Sequence, residues 1–457
     1  MHPTSMGEQT PKGESAAKST DVPFEIKYDY FKPLREGIGA RTPKGIYKRL
    51  LILAVLAILT GILFVQLLAT DLSAMIKLFG SIVLMMLSGE IARGIMGWDG
   101  FWGLIMLKDR SMLDWIDRQA RRFAPLWSLI ADMGMVMGYG LLSFRLLGPT
   151  ARKPRELILL FLASIPLLLI FSLVVMPSAY EILRFSIGST ELNAASVHMR
   201  ATAPLQGDWS LRLGGWDLTL PLMTIAMGVL TLVGGLALAA TASLVLYAIS
   251  LLGPIMDKIV SMALGLIGQS SPATVLPPPG GTPLLPGINL PFVEGILAMA
   301  ILLVVHELMH AFLARIHHIR LDSAGVVLFG ILPFGAFVDP DEKELSKADV
   351  WKTNQVIAAG SASNMMTAML AFMLFLGMSQ LNAIYPMTGF GVGFIARTLG
   401  LVIALNVLVG VVNLLPLPMF DGHRLMKAGV KHDQLSAAVT IVVVLAFVVN
   451  FLPWIFR

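Results

Sequence analysis

Residues Ile301–Arg315 read I-L-L-V-V-H-E-L-M-H-A-F-L-A-R. His306, Glu307 and His310 form H-E-x-x-H inside an apolar run that extends from Phe292 to Ala314. Histidines four apart project from one helix face, about 40° apart, so two imidazoles can share one metal ion with the glutamate beside it. The run is long enough to cross a bilayer. Three ionisable groups at that depth cost roughly 2.5 kcal/mol or more for each charge, so they mark function.

The rest of the chain has the same character. It holds 457 residues, 56% hydrophobic and 14% charged, with mean hydropathy +0.76. This composition predicts an all-α polytopic membrane protein with about nine transmembrane helices. The spans fall near 50–70, 73–95, 125–147, 157–178, 219–252, 292–314, 355–378, 393–418 and 435–454. The fifth is overlong, which predicts either a tilted helix or a break near Gly234 and Gly235. A net charge of +5 resides mostly in short loops, where it sets topology. No basic stripe with stacking aromatics occurs, which argues against nucleic acid. There are no cysteines, so thiolate zinc sites, cysteine nucleophiles and disulfides are excluded.

Residues 1–45 read as a disordered cytoplasmic tail. Residues 46–269 read as an N-terminal membrane region of about five spans with an amphipathic helix near 108–122. A Pro/Gly-rich linker, 270–287, leads into a membrane core, 288–457. No Lys or Arg occurs from Ile259 to Ala314 or from Thr353 to Ala396, whereas Arg315–Lys352 and Arg424–Lys431 hold several. The positive-inside rule places those basic loops in the cytoplasm and the histidines toward that side. Arg152, Lys153 and Arg155 break the pattern: with nine simple crossings they would lie outside. Among polar residues in spans, Glu90 and Arg93 are spaced to pair, and Asp132 and Asn406 are placed for interhelical hydrogen bonds.

A catalytic zinc takes three protein ligands and keeps a position for water. The third is open among His317, His318, Asp339, Asp341, Glu342, Glu344, Asp421 and His423. Asp421 stands out because it follows N-L-L-P-L-P-M-F, where Pro416 and Pro418 break a span. Broken backbone at membrane depth lines a cavity or is buried in protein.

H-E-L-M-H followed by N-x-x-P-x-P-x-x-D-G at 413–422 resembles the site-2 proteases, intramembrane zinc metalloproteases. The resemblance covers about Pro286–Arg424. It implies that His306, His310 and Asp421 bind one Zn2+, that Glu307 is the catalytic base, and that Asn413 contacts substrate or oxyanion. A-A-G-S-A-S-N, Ala358–Asn364, resembles a third family motif and adds Asn364 to the substrate or oxyanion set, with Ser361 where proline is common. His423 departs from the usual second motif. The activity implied is cleavage of membrane-embedded protein substrates by a multi-pass protein of the cell membrane. The apolar, Gly-punctuated stretch Asp322–Val338 corresponds to a re-entrant β-hairpin that offers an edge strand to unwound substrate. Two alternatives remain: another H-E-x-x-H membrane peptidase with Glu342 or Glu344 as third ligand, and a metal or proton transporter using the histidine pair.

Overall fold

The structure is a computed structural model that describes residues 46–72, 74–108, 110–148, 153–188, 222–267, 276–281, 284, 286–287, 289–384, 390–430 and 432–455. The expected tail 1–45, Arg152 and half of the linker 270–287 lie outside the described residues.

The chain runs through α1 (Ile46–Ala69), α2 (Ala74–Met96), β1 (Asp99–Phe101), β2 (Leu104–Lys108), α3 (Arg110–Arg122), α4 (Ala124–Tyr139) and α5 (Ser143–Leu147). Next come α6 (Pro154–Ile170), a π turn, α7 (Met176–Gly188) and α8 (Leu222–Leu266). The C-terminal part holds α9 (Phe292–Ile316), β3 (Leu321–Phe329), β4 (Leu332–Pro340), α10 (Glu342–Lys347), α11 (Val350–Ile384), α12 (Phe390–Val412), α13 (Asp421–Gly429) and α14 (Asp433–Phe451). Among the described residues, nine helical stretches have the length and composition to cross a membrane. This is a multi-pass integral membrane protein. Helices suit that solvent because they satisfy their own backbone groups.

Burial separates the axis from the periphery. The apolar window of α11 is 78% buried, whereas that of α1 is 11% buried. So α11 is the central helix, wrapped by α9, α12 and α4, and α1 faces lipid. Small residues allow the close approach: Gly134 of α4 packs directly on Ala362 of α11, with no room for another Cβ. Phe64 of α1 meets Phe292 of α9, ring centroids 5.5 Å apart, so the end of the first span and the start of the sixth share one face.

Residues 321–340 form the expected hairpin, but within a larger sheet. Its order is β1-β2-β3-β4, antiparallel throughout, with Leu104 opposite Phe329 and Lys108 opposite Gly325. The N-terminal region thus adds two strands to the hairpin. It also supplies α3, whose Asp117 pairs with Arg315 at the end of α9. Strand β4 forms one edge of the sheet and packs along α9, with Gly335 against Leu303.

The third apolar stretch is not a simple crossing. Helix α4 ends at Gly140, whose φ of 54° turns the chain sharply. The side chain of Gln355 reaches Ser128 O and Asp132, while its neighbour Asn354 bonds Leu146 O at 2.9 Å. A straight helix would set residues 128 and 146 about 27 Å apart. The chain therefore doubles back, and α5 ends on the face where α11 begins. Lys153 and Arg155 follow on that face, which removes their conflict with the positive-inside rule. The fifth span takes the break, at Gly235, φ 64°, whose backbone abuts Gly138 and Tyr139.

Several polar groups in the helices find partners. Glu90 pairs with Arg93 and accepts from Gly103 N, and Glu294 pairs with Arg397 at 2.8 Å, whereas the Asn406 side chain donates to Val402 O one turn back in its own helix rather than across to a neighbour. Fully buried Asp132 accepts from Gln355 Nε2 at 2.6 Å, and Gln355 Oε1 accepts from His317 Nε2. This junction ties α4, α9 and α11. Burial pushes the His317 imidazole below its ordinary 6.5, against the opposing bond to Gln355. The fold thus favours the neutral ring. Its stabilisation is full above about pH 6.5 and is lost as pH falls through the depressed value. Thermal melts of wild type and His317→Gln should diverge below pH 6.5 and run parallel above it.

Candidate metal centre

Helix α9 places His306 and His310 one turn apart on the face toward α11 and the 413–422 loop. That loop is closed by the Gly422 N–H bonding Asn413 O at 2.7 Å. Pro416 and Pro418 keep the intervening backbone out of helix. The closure brings Asp421, first residue of α13, beside the histidines. Gly422 lies so close to the Leu414 and Leu415 carbonyls that only glycine fits.

His306 Nε2 lies 3.1 Å from His310 Nε2, and Asp421 Oδ2 lies 3.4 and 3.5 Å from the two nitrogens. Tetrahedral ligands at about 2.0–2.1 Å from zinc stand about 3.3–3.4 Å from one another, so this triangle has the right size. Among the described residues this is the group of His, Asp or Glu side chains that converges so closely. Gly360 of α11 faces the same point: a Cβ there would overlap both Nε2 atoms. The missing side chain leaves the space an ion needs.

The lone pairs also point there. His310 Nδ1 lies 2.7 Å from Val356 O, which can only accept, so Nδ1 carries the proton and Nε2 is a free donor pair. His306 Nδ1 lies 3.2 Å from the Asn364 amide nitrogen, while Asn364 Oδ1 is buried without a partner. With the amide's N and O exchanged, His306 Nδ1–H donates to Oδ1 and Nε2 keeps its lone pair for the ion. Asp421 Oδ2 is likewise buried and unpartnered by any hydrogen bond. Two nitrogen lone pairs and a carboxylate oxygen converge, and a bound cation relieves their repulsion. The residues fit a single divalent ion.

These three side chains open on a cavity of about 310 Å³, also lined by Glu307, Asn413, Val338 and Arg424. Asn413 Nδ2 lies 3.3 Å from His306 Nε2, beside the converging donor atoms. Asn364, grouped with it from sequence, is fully buried behind His306 and does not line the cavity. Its placement is that of a support to the ring, in the manner of outer-shell partners of metal histidines.

The remaining third-ligand candidates do not join this group. Asp341 caps α10, accepting from Lys343 N and Glu344 N, bonds that hold its carboxyl below the ordinary value. Glu344 accepts from Arg320 N, and exposed Glu342 stands 4.0 Å from Arg424. Burial raises Asp339, which lies on β4. His317 bonds Gln355, and His423 lies 3.4 Å from the Thr440 hydroxyl. Sequence reasoning did not find the part of Gly360, although it lies in the quoted A-A-G-S-A-S-N stretch.

Residues 294–452 match the model of Peptidase family M50. This is the site-2 protease family, and the matched stretch contains every side chain of the centre. An uncharacterized protein of Methanocaldococcus jannaschii is 32% identical over 108 residues, which span 24% of this chain and 28% of that protein. The match thus covers under a third of the relative's length. No solved structure matches. The M50 match supports a membrane metalloprotease of the site-2 type.

Proposed function

We propose that this protein is an intramembrane zinc endopeptidase that cleaves transmembrane segments of membrane-anchored proteins, its active site toward the cytoplasmic side of the cell membrane. The observation that carries this reading is the triangle of donor atoms beside Glu307 in one cavity. His306, His310 and Asp421 hold the ion, which when bound polarises a carbonyl and makes water a nucleophile near neutral pH. Glu307 takes a proton from the attacking water at its carboxylate and passes it to the leaving amine nitrogen. The Asn413 amide donates to the oxygen that gains charge in the transition state. Asn364 fixes the His306 ring and its protonated nitrogen. The linker 270–287 serves as the boundary between an N-terminal region and the catalytic core.

A helical substrate hides its peptide bonds in its own hydrogen bonds, so it must unwind before cleavage. Strand β4 lines the cavity with Val338 and Pro340 and is an edge of the sheet. Its free backbone groups provide a template on which extended substrate pairs. Prolines at Gly335, Phe337 and Asp339 in one variant, and at Ala336 and Val338 in another, remove alternate sets of N–H groups. One set should slow cleavage strongly with metal content unchanged. Equal turnover in both sets would rule out strand pairing.

The central test is incubation of the purified protein with a panel of single-span substrates, with and without a zinc chelator. Chelation should abolish cleavage and zinc should restore it; cleavage insensitive to chelator removes the proposal. Asp421→Ala should lose the metal, whereas retention would move the third ligand to Glu342 or Glu344. Asn364→Ala should weaken metal binding about 10–100-fold, as loss of an outer-shell partner does, while Asn364→Asp should recover most of it.

A further inference from the structure

A second cavity, of about 240 Å³, lies behind the segment that carries the metal centre. Asn413, Asp421 and Arg424 face the first cavity, while their chain neighbours Leu414, Gly422 and Leu425 face the second. Its other walls come from the turn after α4, from α5, from α8 just past the Gly235 break, and from Val439 of α14. They are almost wholly apolar. The Thr241 hydroxyl is spent on Ala237 O. Two polar groups are not spent. Tyr139 is 7% exposed and its hydroxyl has no hydrogen-bond partner. Arg145 has no ion-pair partner among the described residues.

Position decides what such a site fits. Arg145 adjoins Leu146, whose carbonyl is bound by Asn354, so the cation sits on the face where α11 begins. The apolar walls run inward from it to Gly234 and Ala237, and exposed Leu142 leaves the rim open to the bilayer. A cation at the membrane face above an apolar slot complements an anionic headgroup above an acyl chain. A peptide would need several backbone partners, and these walls offer two polar groups.

We propose that this cavity binds an acyl chain of an anionic phospholipid from the surrounding bilayer, with the phosphate at Arg145. The Tyr139 hydroxyl supplies a donor for an ester oxygen. Because Leu414 and Gly422 form one wall, the bound chain braces the loop that presents Asp421.

The test uses the full protein in nanodiscs containing phosphatidylglycerol or phosphatidylcholine with a photoreactive acyl chain, read by peptide mapping. Labelling should concentrate on Leu238, Thr241 and Met426, and phosphatidylglycerol should compete better than phosphatidylcholine. Arg145→Gln should reduce that preference about fivefold. Ala237→Phe should fill the slot and remove the label, and Thr241→Phe serves if that variant does not fold. Label spread evenly over lipid-facing helices such as α1 would overturn the proposal. So would a preference unchanged in Arg145→Gln, or displacement of the label by a single-span peptide. The readout is lipid labelling, so it stands or falls apart from peptidase activity.

Discussion

Glu307→Gln should leave a folded protein with its metal in place and lower turnover about 10²–10⁴-fold, the range expected for removing a general base. That loss corresponds to about 3–5 kcal/mol of barrier. The expectation rests on the separation of roles within one helical turn. The converging donor atoms belong to His306, His310 and Asp421, and Glu307 is not among them. It nevertheless lines the same cavity. Glutamine keeps the shape and hydrogen-bonding reach of the side chain but cannot accept a proton at neutral pH. Metal analysis and single-turnover cleavage, measured on one preparation, separate the outcomes. Loss of both metal and activity would make Glu307 a ligand. Full activity would remove it from the chemistry, whereas metal retention with no cleavage by either wild type or variant would reopen the transporter reading, in which the histidines serve as a transit site without hydrolysis.

The three converging side chains were legible because each rests on a local physical rule. His306 and His310 follow from the helical period within a span. Asp421 follows from prolines that break a span, since broken backbone at that depth needs a cavity or a protein wall. The long-range sheet was not legible. Strands β1 and β2 hold three and five residues, and D-G-F-W-G-L-I-M-L-K has too little alternation to announce a partner more than two hundred residues away. The fold-back at Gly140 was hidden because Y-G-L-L-S-F continues an apolar run. Only the charges at 152–155 signalled that something was amiss. The place of Asn364 was also beyond sequence. Whether an amide meets substrate or braces a ligand depends on which side of His306 it occupies, and α11 passes behind the ring.

That passage of α11 leads to the second large effect. Gly360→Ala should abolish metal binding although it alters no ligand. A Cβ at this position would overlap the Nε2 atoms of both histidines, in the space an ion needs. In a helix interior alanine is otherwise favoured over glycine by about 0.5–1 kcal/mol, and the overlapped atoms are the far ends of two side chains that can turn aside, so the helices should stay packed. A control lies on the same helix: Gly377 has open space around its Cα, and Gly377→Ala should retain metal and activity. Gly360→Ala should therefore purify as helical protein, show little bound zinc and cleave nothing, while the control behaves as wild type. If Gly360→Ala instead keeps stoichiometric zinc, the ion does not sit between His306 and His310 on the α11 side. The donor triangle would then be a feature of packing, and the third ligand would have to be sought on another face of α9. Helix propensity and metal binding thus pull in opposite directions at one residue. Their opposition makes the substitution more diagnostic than removal of a ligand, which would also lower metal content if the side chain served only to hold the fold.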